Sequence, residues 1–215
     1  MVTSPDRTTV IYSDSDGQPM ADNTKQFRWI VTIKENLEIL FADQPEVFVA
    51  GDLLWYPVEG EATIRQAPDA LVVFGRPKGD RGSYQQWKED NIPPQVVFEI
   101  LSPGNRPSEM MRKFKFYERY GVEEYYIYDP DDLELSGWCR WQGRLVAVEE
   151  MDGWVSPLLK VRFVLGENEL ELYRPDGGKF LTTLELDQRA KAAEQRAEST
   201  EALLAKYRDR FGDLE

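Results

Sequence analysis

Glu99 stands in the middle of an apolar run. Val96-Val97-Phe98-Glu99-Ile100-Leu101 is followed at once by the turn signal Ser102-Pro103-Gly104-Asn105. A short run rich in β-branched and aromatic residues, closed in this way, reads as a buried central strand. An ionised carboxylate there is costly unless a metal, a cation or hydrogen bonds compensate it. A second acid has the same kind of setting, because Ala67-Pro68-Asp69-Ala70 leads into the apolar run Leu71-Val72-Val73-Phe74. Two acids held by adjacent strands make half of a divalent-metal site.

What the chain lacks narrows the chemistry. It has no His, which excludes Ser-His-Asp and Cys-His nucleophiles and any His-ligated zinc or iron. A single cysteine, Cys139, excludes an intrachain disulfide and a multi-Cys metal cluster. Carboxylates, Lys, Arg, Tyr and Ser remain, and carboxylate oxygen favours Mg²⁺ or Mn²⁺ over softer metals. At 41% hydrophobic residues, a chain of 215 can bury a core for one large domain plus an appendage. The N-terminus carries no basic segment followed by an apolar stretch, and no run approaches membrane-spanning length. The expectation is a soluble cytoplasmic protein with no membrane partner.

A net charge of −13 is a poor overall footprint for a nucleic-acid binder. The charge is uneven, however. Residues 75–88 hold Arg76, Lys78, Arg81 and Lys88 against Asp80 alone. Residues 102–120 hold Arg106, Arg112, Lys113, Lys115 and Arg119 against Glu109 and Glu118. Each stretch follows one acid-bearing strand. They read either as two solvated surfaces or as the walls of a polyanion channel, with Arg76, Lys78, Arg81, Arg112 and Lys115 as nucleic-acid contacts.

Along the chain, residues 1–22 lack an apolar period and read as a flexible arm. Asn23-Thr24 caps a helix over 25–41, whose Glu35 and Glu38 lie on a solvated face. Residues 47–56 read as a strand with a bulge at Gly51; Asp52 is either a further site residue or, preferably, turns outward there. Strands follow at 70–74 and 96–101, separated by a long connection in which Tyr84 and Trp87 stand between basic residues. Those aromatics suit base stacking or packing of the loop on its own domain. A helix opens at Pro107 and runs to Tyr120, with Gly121 as its stop. Met110, Phe114 and Tyr117 share its core face, Glu109 and Lys113 sit at the margin, and Arg112, Lys115 and Arg119 face outward. A strand at 124–128 is followed by short strands at 133–139, 143–148, 159–165, 169–173 and 180–183. From 184 to 211 Gly and Pro vanish. Leu186, Ala190, Ala193, Ala197, Thr200, Leu204, Tyr207 and Phe211 then form a heptad seam, which pairs into a dimeric coiled coil, docks a partner, folds back on its own domain or projects alone; self-association into a dimer is the preferred reading.

Together these residues resemble a known group. Pro68-Asp69, then Glu99 on the next strand, are similar to the PD-(D/E)XK nuclease superfamily. The longer set Glu99-Ile100-Leu101-Ser102-Pro103, Lys113, Tyr117, Gly121-Val122, Glu124-Tyr125 and Asp129-Pro130 resembles one branch, the Uma-two family of bacterial putative restriction endonucleases. The resemblance covers about 25–183, and the C-terminal helix is an addition seen in some members. It implies an α/β (α+β), restriction-endonuclease-like fold with an α-β-β-β-α-β core, extra strands and a long C-terminal helix. The expected parts are an arm at 1–22, a nuclease-like domain at 23–183 and a helix at 184–215.

The resemblance also implies a Mg²⁺-dependent endonuclease acting on DNA. Asp69 and Glu99 would be the metal ligands and Lys113 the catalytic lysine, with Glu109 and Asp52 in support. The chain departs from the superfamily pattern at Leu101, where a Lys is expected; in this branch the Lys lies on the following helix, at Lys113. Glu109 stands where the branch commonly has Asp, and either acid can bind a metal or position Lys113. Two alternatives stay open: an RNA- or structure-selective nuclease, and a non-catalytic binding module that uses the C-terminal helix.

Overall fold

Two helices cover opposite faces of a six-stranded sheet, and the alternation of side chains along the central strands decides which residue meets which helix. A computed structural model describes residues 10–15, 17 and 19–212. In chain order the elements are α1 (Thr24–Leu40), β1 (Val47–Ala50), β2 (Trp55–Tyr56), β3 (Ala70–Phe74) and β4 (Tyr84–Gln85). After a short 3-10 turn come β5 (Val96–Ile100), α2 (Pro107–Tyr120), β6 (Glu124–Asp129), β7 (Glu134–Trp141) and β8 (Arg144–Ala147). The chain continues through β9 (Arg162–Leu165), β10 (Leu170–Tyr173) and α3 (Thr183–Phe211). The sheet order is β1-β3-β5-β6-β7-β8. Only β5 and β6 run parallel, joined by a crossover through α2; the other neighbours in this sheet are antiparallel. Setting aside the two-residue β2 and β4, the order is the expected α-β-β-β-α-β.

The strands β3 and β5 are buried on both faces. Val72, Val96, Phe98 and Ile100 face α1, where Trp29, Ile30, Ile33 and Leu37 meet them. The β9–β10 hairpin packs into the same core through Phe163, Leu170 and Leu172. Leu71, Val73 and Val97 face the other way, into a core with Tyr117 of α2, Trp55 and Tyr84. Each fully buried large side chain here contributes roughly 1.5–3 kcal/mol of transfer free energy.

Both flanking helices begin and end where their sequences say. The Asn23 side chain accepts from the Gln26 N–H at 2.8 Å and caps α1, a contact worth about 1 kcal/mol. Pro107 opens α2, and Gly121 closes it at φ +98°, a left-handed conformation that favours glycine.

The structure corrects three sequence readings. The expected strand 47–56 breaks after Ala50. Asp52 takes φ +48° and donates its N–H to the Pro68 carbonyl at 3.1 Å, so the chain turns beside Asp69. Leu159–Val161 is not strand, because Lys160 takes φ +58° and the pairing starts only at Arg162. Residues 180–183 are not strand either. Phe180 is buried in the core, while Thr182 caps α3: its hydroxyl accepts from the Glu185 N–H and the Glu185 carboxylate accepts from the Thr182 N–H at 2.8 Å.

The described residues part into two units between Phe180 and Leu181. Much of the expected arm, residues 1–9, lies outside the described residues. The Tyr12 ring contacts Tyr56 and Trp87, and Ser13 accepts from the Tyr56 hydroxyl at 2.9 Å. Among the described residues no helix is long and apolar enough to cross a membrane.

Candidate active site

The pairing of β3 with β5 brings the two acids together. Ala70 lies opposite Phe98 and Leu71 opposite Val97. One step further along the same antiparallel register sets Asp69 against Glu99. Period-two alternation puts both on the face that carries Leu71 and Val97, the face of α2. The Asp69 Oδ2 atom accepts the Ile100 N–H at 2.6 Å, which fixes its carboxylate at the end of β5.

The helix α2 returns two side chains to Glu99, which is only 2% exposed. Lys113 donates from Nζ to Oε2 at 2.7 Å, and the Tyr117 hydroxyl donates to Oε1 at 2.5 Å. Lys113 and Tyr117 are four residues apart, so they lie one turn above each other on a single helix face. The Tyr117 ring is locked in turn, stacked on Trp55 at 6.4 Å and edge-on to Tyr125 at 5.0 Å. Tyr117, expected to be plain core, is therefore both core and ligand of Glu99; its i, i+4 spacing from Lys113 was the signal.

The charges are strongly coupled. Burial pushes the Asp69 carboxyl well above the usual range; the neighbouring Glu99 pushes the same way, and Lys113 and the Ile100 N–H pull back. Burial works against the Lys113 ammonium, but Glu99 and Asp69 outweigh it, so the group is held above its ordinary pKa and stays charged. Burial and the adjacent Glu99 push the Tyr117 phenol well up, which keeps it a donor.

A cleft of about 320 Å³ opens onto this cluster. Asp69, Lys113, Glu109, Asp52, Gln26 and Asn105 are among the side chains lining it. The expectation that Asp52 turns outward is thus overturned, because the break after Ala50 turns it into the cleft with Asp69. Sequence reasoning also missed Asp22, Gln26 and Asn105. Gln26 donates to the Ile100 carbonyl at 2.8 Å, and Ser102 donates its hydroxyl to Asp22 at 2.5 Å. The Ser102 N–H donates to the Asn105 side chain at 2.7 Å. The turn after β5 and the start of α1 are thereby tied into one wall.

The basic residues divide. Arg112 and Lys115 are exposed on α2. Arg76 and Arg81 instead clamp Glu89 at 2.9 and 2.7 Å, and the Arg81 guanidinium sits 3.9 Å over the Phe48 ring. Lys78 donates to the Phe41 carbonyl at 2.7 Å. These three staple the 75–95 connection to the domain and do not line the cleft. Glu35 and Glu38 pair with Lys34 on the exposed face of α1, as expected of a solvated face.

The donor set suits a hard divalent cation. Among the described residues no three His, Cys, Asp or Glu side chains cluster to hold an ion by themselves. Asp69 and Glu99 form a pair, and Mg²⁺ typically takes one or two carboxylates while keeping several waters. Such a cation would offset the burial and the Glu99 charge that hold the Asp69 carboxyl up.

No curated protein matches the chain. Among solved structures it is similar to a putative nuclease of the DUF820 group from Anabaena variabilis ATCC 29413. The identity is 17%, the match covers 66% of this chain and 75% of that one, and the TM-score is 0.48. The profile of the Uma2 family, described as putative restriction endonuclease, matches residues 8–197. That span holds Asp69, Glu99, Lys113 and the whole α-β-β-β-α-β core, and the chain belongs to this family.

Proposed function

We propose that the protein is a Mg²⁺- or Mn²⁺-dependent endonuclease that hydrolyses phosphodiester bonds in DNA. One observation carries the reading: two buried acids from neighbouring strands share a charged lysine at the wall of an open cleft. Asp69 and Glu99 would hold the cation. When bound, it polarises the phosphate and makes its water more acidic. Lys113 keeps its proton and sets a fixed positive charge where negative charge develops on the phosphate. Tyr117 holds one oxygen of Glu99 and Lys113 the other, which fixes the carboxylate behind the Lys113 ammonium at the cleft wall. Glu109, one helical turn before Lys113, steadies the ammonium, and Asp52 adds to the negative potential at Asp69. Arg112 and Lys115 offer phosphate contacts on the outer side of α2.

The test is cleavage of duplex DNA, single-stranded DNA and RNA with and without added Mg²⁺ or Mn²⁺. Cation-dependent nicking of duplex DNA is expected. Cleavage confined to RNA or to branched substrates would move the substrate class without removing the mechanism. A second reading, a nuclease-fold binding module, is favoured by the net charge of −13. It gains if the protein neither cleaves nor binds the cation.

A further inference from the structure

The long helix α3 carries its own instructions for pairing. It spans 29 residues behind a complete capping box. Its seam residues Leu204 and Tyr207 are 48% and 56% exposed. An Ala-rich seam buries little apolar surface per turn, so the flanking charges decide orientation. With Leu186, Ala193, Thr200 and Tyr207 at d and Ala190, Ala197 and Leu204 at a, the g positions include Arg189 and Arg196. The e positions include Glu194 and Glu201. Both Arg of the middle heptads thus lie on one flank, with Glu194 and Glu201 on the other.

We infer that α3 pairs with the α3 of a second copy as a parallel, in-register two-stranded coiled coil. In that arrangement each g residue meets the e residue of the next heptad on the partner strand. Arg189 then meets Glu194 of the second copy, Arg196 meets Glu201 of the second copy, and the two-fold axis doubles both pairs. An antiparallel pair brings like flanks together. Overlapped end to end, it sets Arg189 against Arg210 and Glu194 against Glu201, with Asp187 against Arg208 as the one opposite-charge pair in return.

The helix itself offers no counter-charge to two of these four residues; Arg189 has Glu185 four residues before it and Glu194 has Lys191 three residues before it. Arg196 has no acid, and Glu201 no base, three or four residues away on its own helix. Among the described residues neither forms an ion pair, whereas Asp187 is taken by Lys191 at 2.7 Å. Two charges unused within one strand are each other's partners across the parallel pair. A parallel coil also sets both Thr182 caps at the same end.

Sedimentation of the full-length protein tests this. The parent should be a dimer, and Arg189→Glu with Arg196→Glu should weaken association at least about tenfold, four attractive contacts having become repulsive. Adding Glu194→Arg and Glu201→Arg to that variant should restore the dimer, because only the signs are exchanged. Orientation is read by Leu186→Cys on a Cys139→Ser background. A parallel pair oxidises to a cross-linked dimer; antiparallel strands overlapped end to end hold the two positions roughly 38 Å apart. A parent that stays monomeric, a dimer indifferent to the charge reversal, or a dimer that does not cross-link at position 186 would overturn the inference.

Discussion

Lys113 Nζ lies 2.7 Å from Glu99 Oε2, although the two residues stand fourteen positions apart in sequence. Glu99 is fixed by a central strand and Lys113 by the helix of the crossover, so the pair depends on the fold and not on local flexibility. Lys113→Met leaves a buried carboxylate without its cation. Breaking such a pair costs about 3 kcal/mol. The variant should therefore unfold at lower denaturant in metal-free buffer and gain more stability from Mn²⁺ than the parent does. It should still bind the metal but lose turnover.

Tyr117→Phe removes the hydroxyl that holds Glu99 Oε1 and leaves the ring contacts with Trp55 and Tyr125 in place. A hydrogen bond to a charged group is worth about 1.5–3 kcal/mol. The expected outcome is a folded protein whose carboxylate is less well oriented, with Mn²⁺ affinity and cleavage both reduced about tenfold or more. Titration calorimetry and a cleavage assay on the same preparation check it.

Glu124 supplies a pH dependence of stability away from the cleft. Burial holds its carboxyl above the ordinary value of 4.5, against the pull of Ser156, the Leu158 N–H and Tyr126. Its Oε1 accepts from the Leu158 N–H at 2.7 Å, and its Oε2 accepts from Tyr126 at 2.9 Å and from Ser156. A carboxyl with a raised folded pKa binds its proton more tightly in the folded state. Its stabilising contribution is therefore complete below 4.5 and is lost as pH rises through the folded value. The unfolding free energy from urea titrations should fall across that window in the parent, by at most about 1.4 kcal/mol per pH unit from this group. In Glu124→Gln this part of the slope should vanish.

The two sets of basic residues should behave differently. Arg112→Glu with Lys115→Glu should leave the melting temperature nearly unchanged and lower both DNA affinity and its salt dependence, as lost phosphate contacts do. Arg81→Ala should instead cost about 1–3 kcal/mol of stability, because it removes the Phe48 stacking and a clamp on Glu89. Equal effects on DNA affinity from both variants would return the 75–88 stretch to the binding surface.

Where local patterns carried the information, the sequence was readable. An apolar run ending at a Pro-Gly turn located β5, and Pro107 and Gly121 bracketed α2 at both ends. The meeting of Asp69 and Glu99 followed from placing neighbouring runs on neighbouring strands. What stayed hidden depends on contacts distant in sequence. The two-residue parallel pairing of Trp55–Tyr56 with Tyr84–Gln85 has no periodicity to show. The break after Ala50 is set by the Pro68 carbonyl accepting the Asp52 N–H. Thr182 and Thr183 look β-prone by composition, yet Thr182 serves as a helix cap for Glu185. Arg76, Lys78 and Arg81 read as free cations until their partners Glu89 and Phe41 are in view.

The central claim is that Asp69 and Glu99 jointly hold the cation that cleavage needs. The most direct measurement is Mn²⁺ binding and duplex DNA cleavage by the parent and Glu99→Gln, side by side at equal metal concentration. The substitution keeps the shape and removes one charge. The account predicts that the parent binds and cleaves, while the variant stays folded, binds Mn²⁺ much more weakly and does not cleave. A Glu99→Gln protein that cleaves as well as the parent contradicts it.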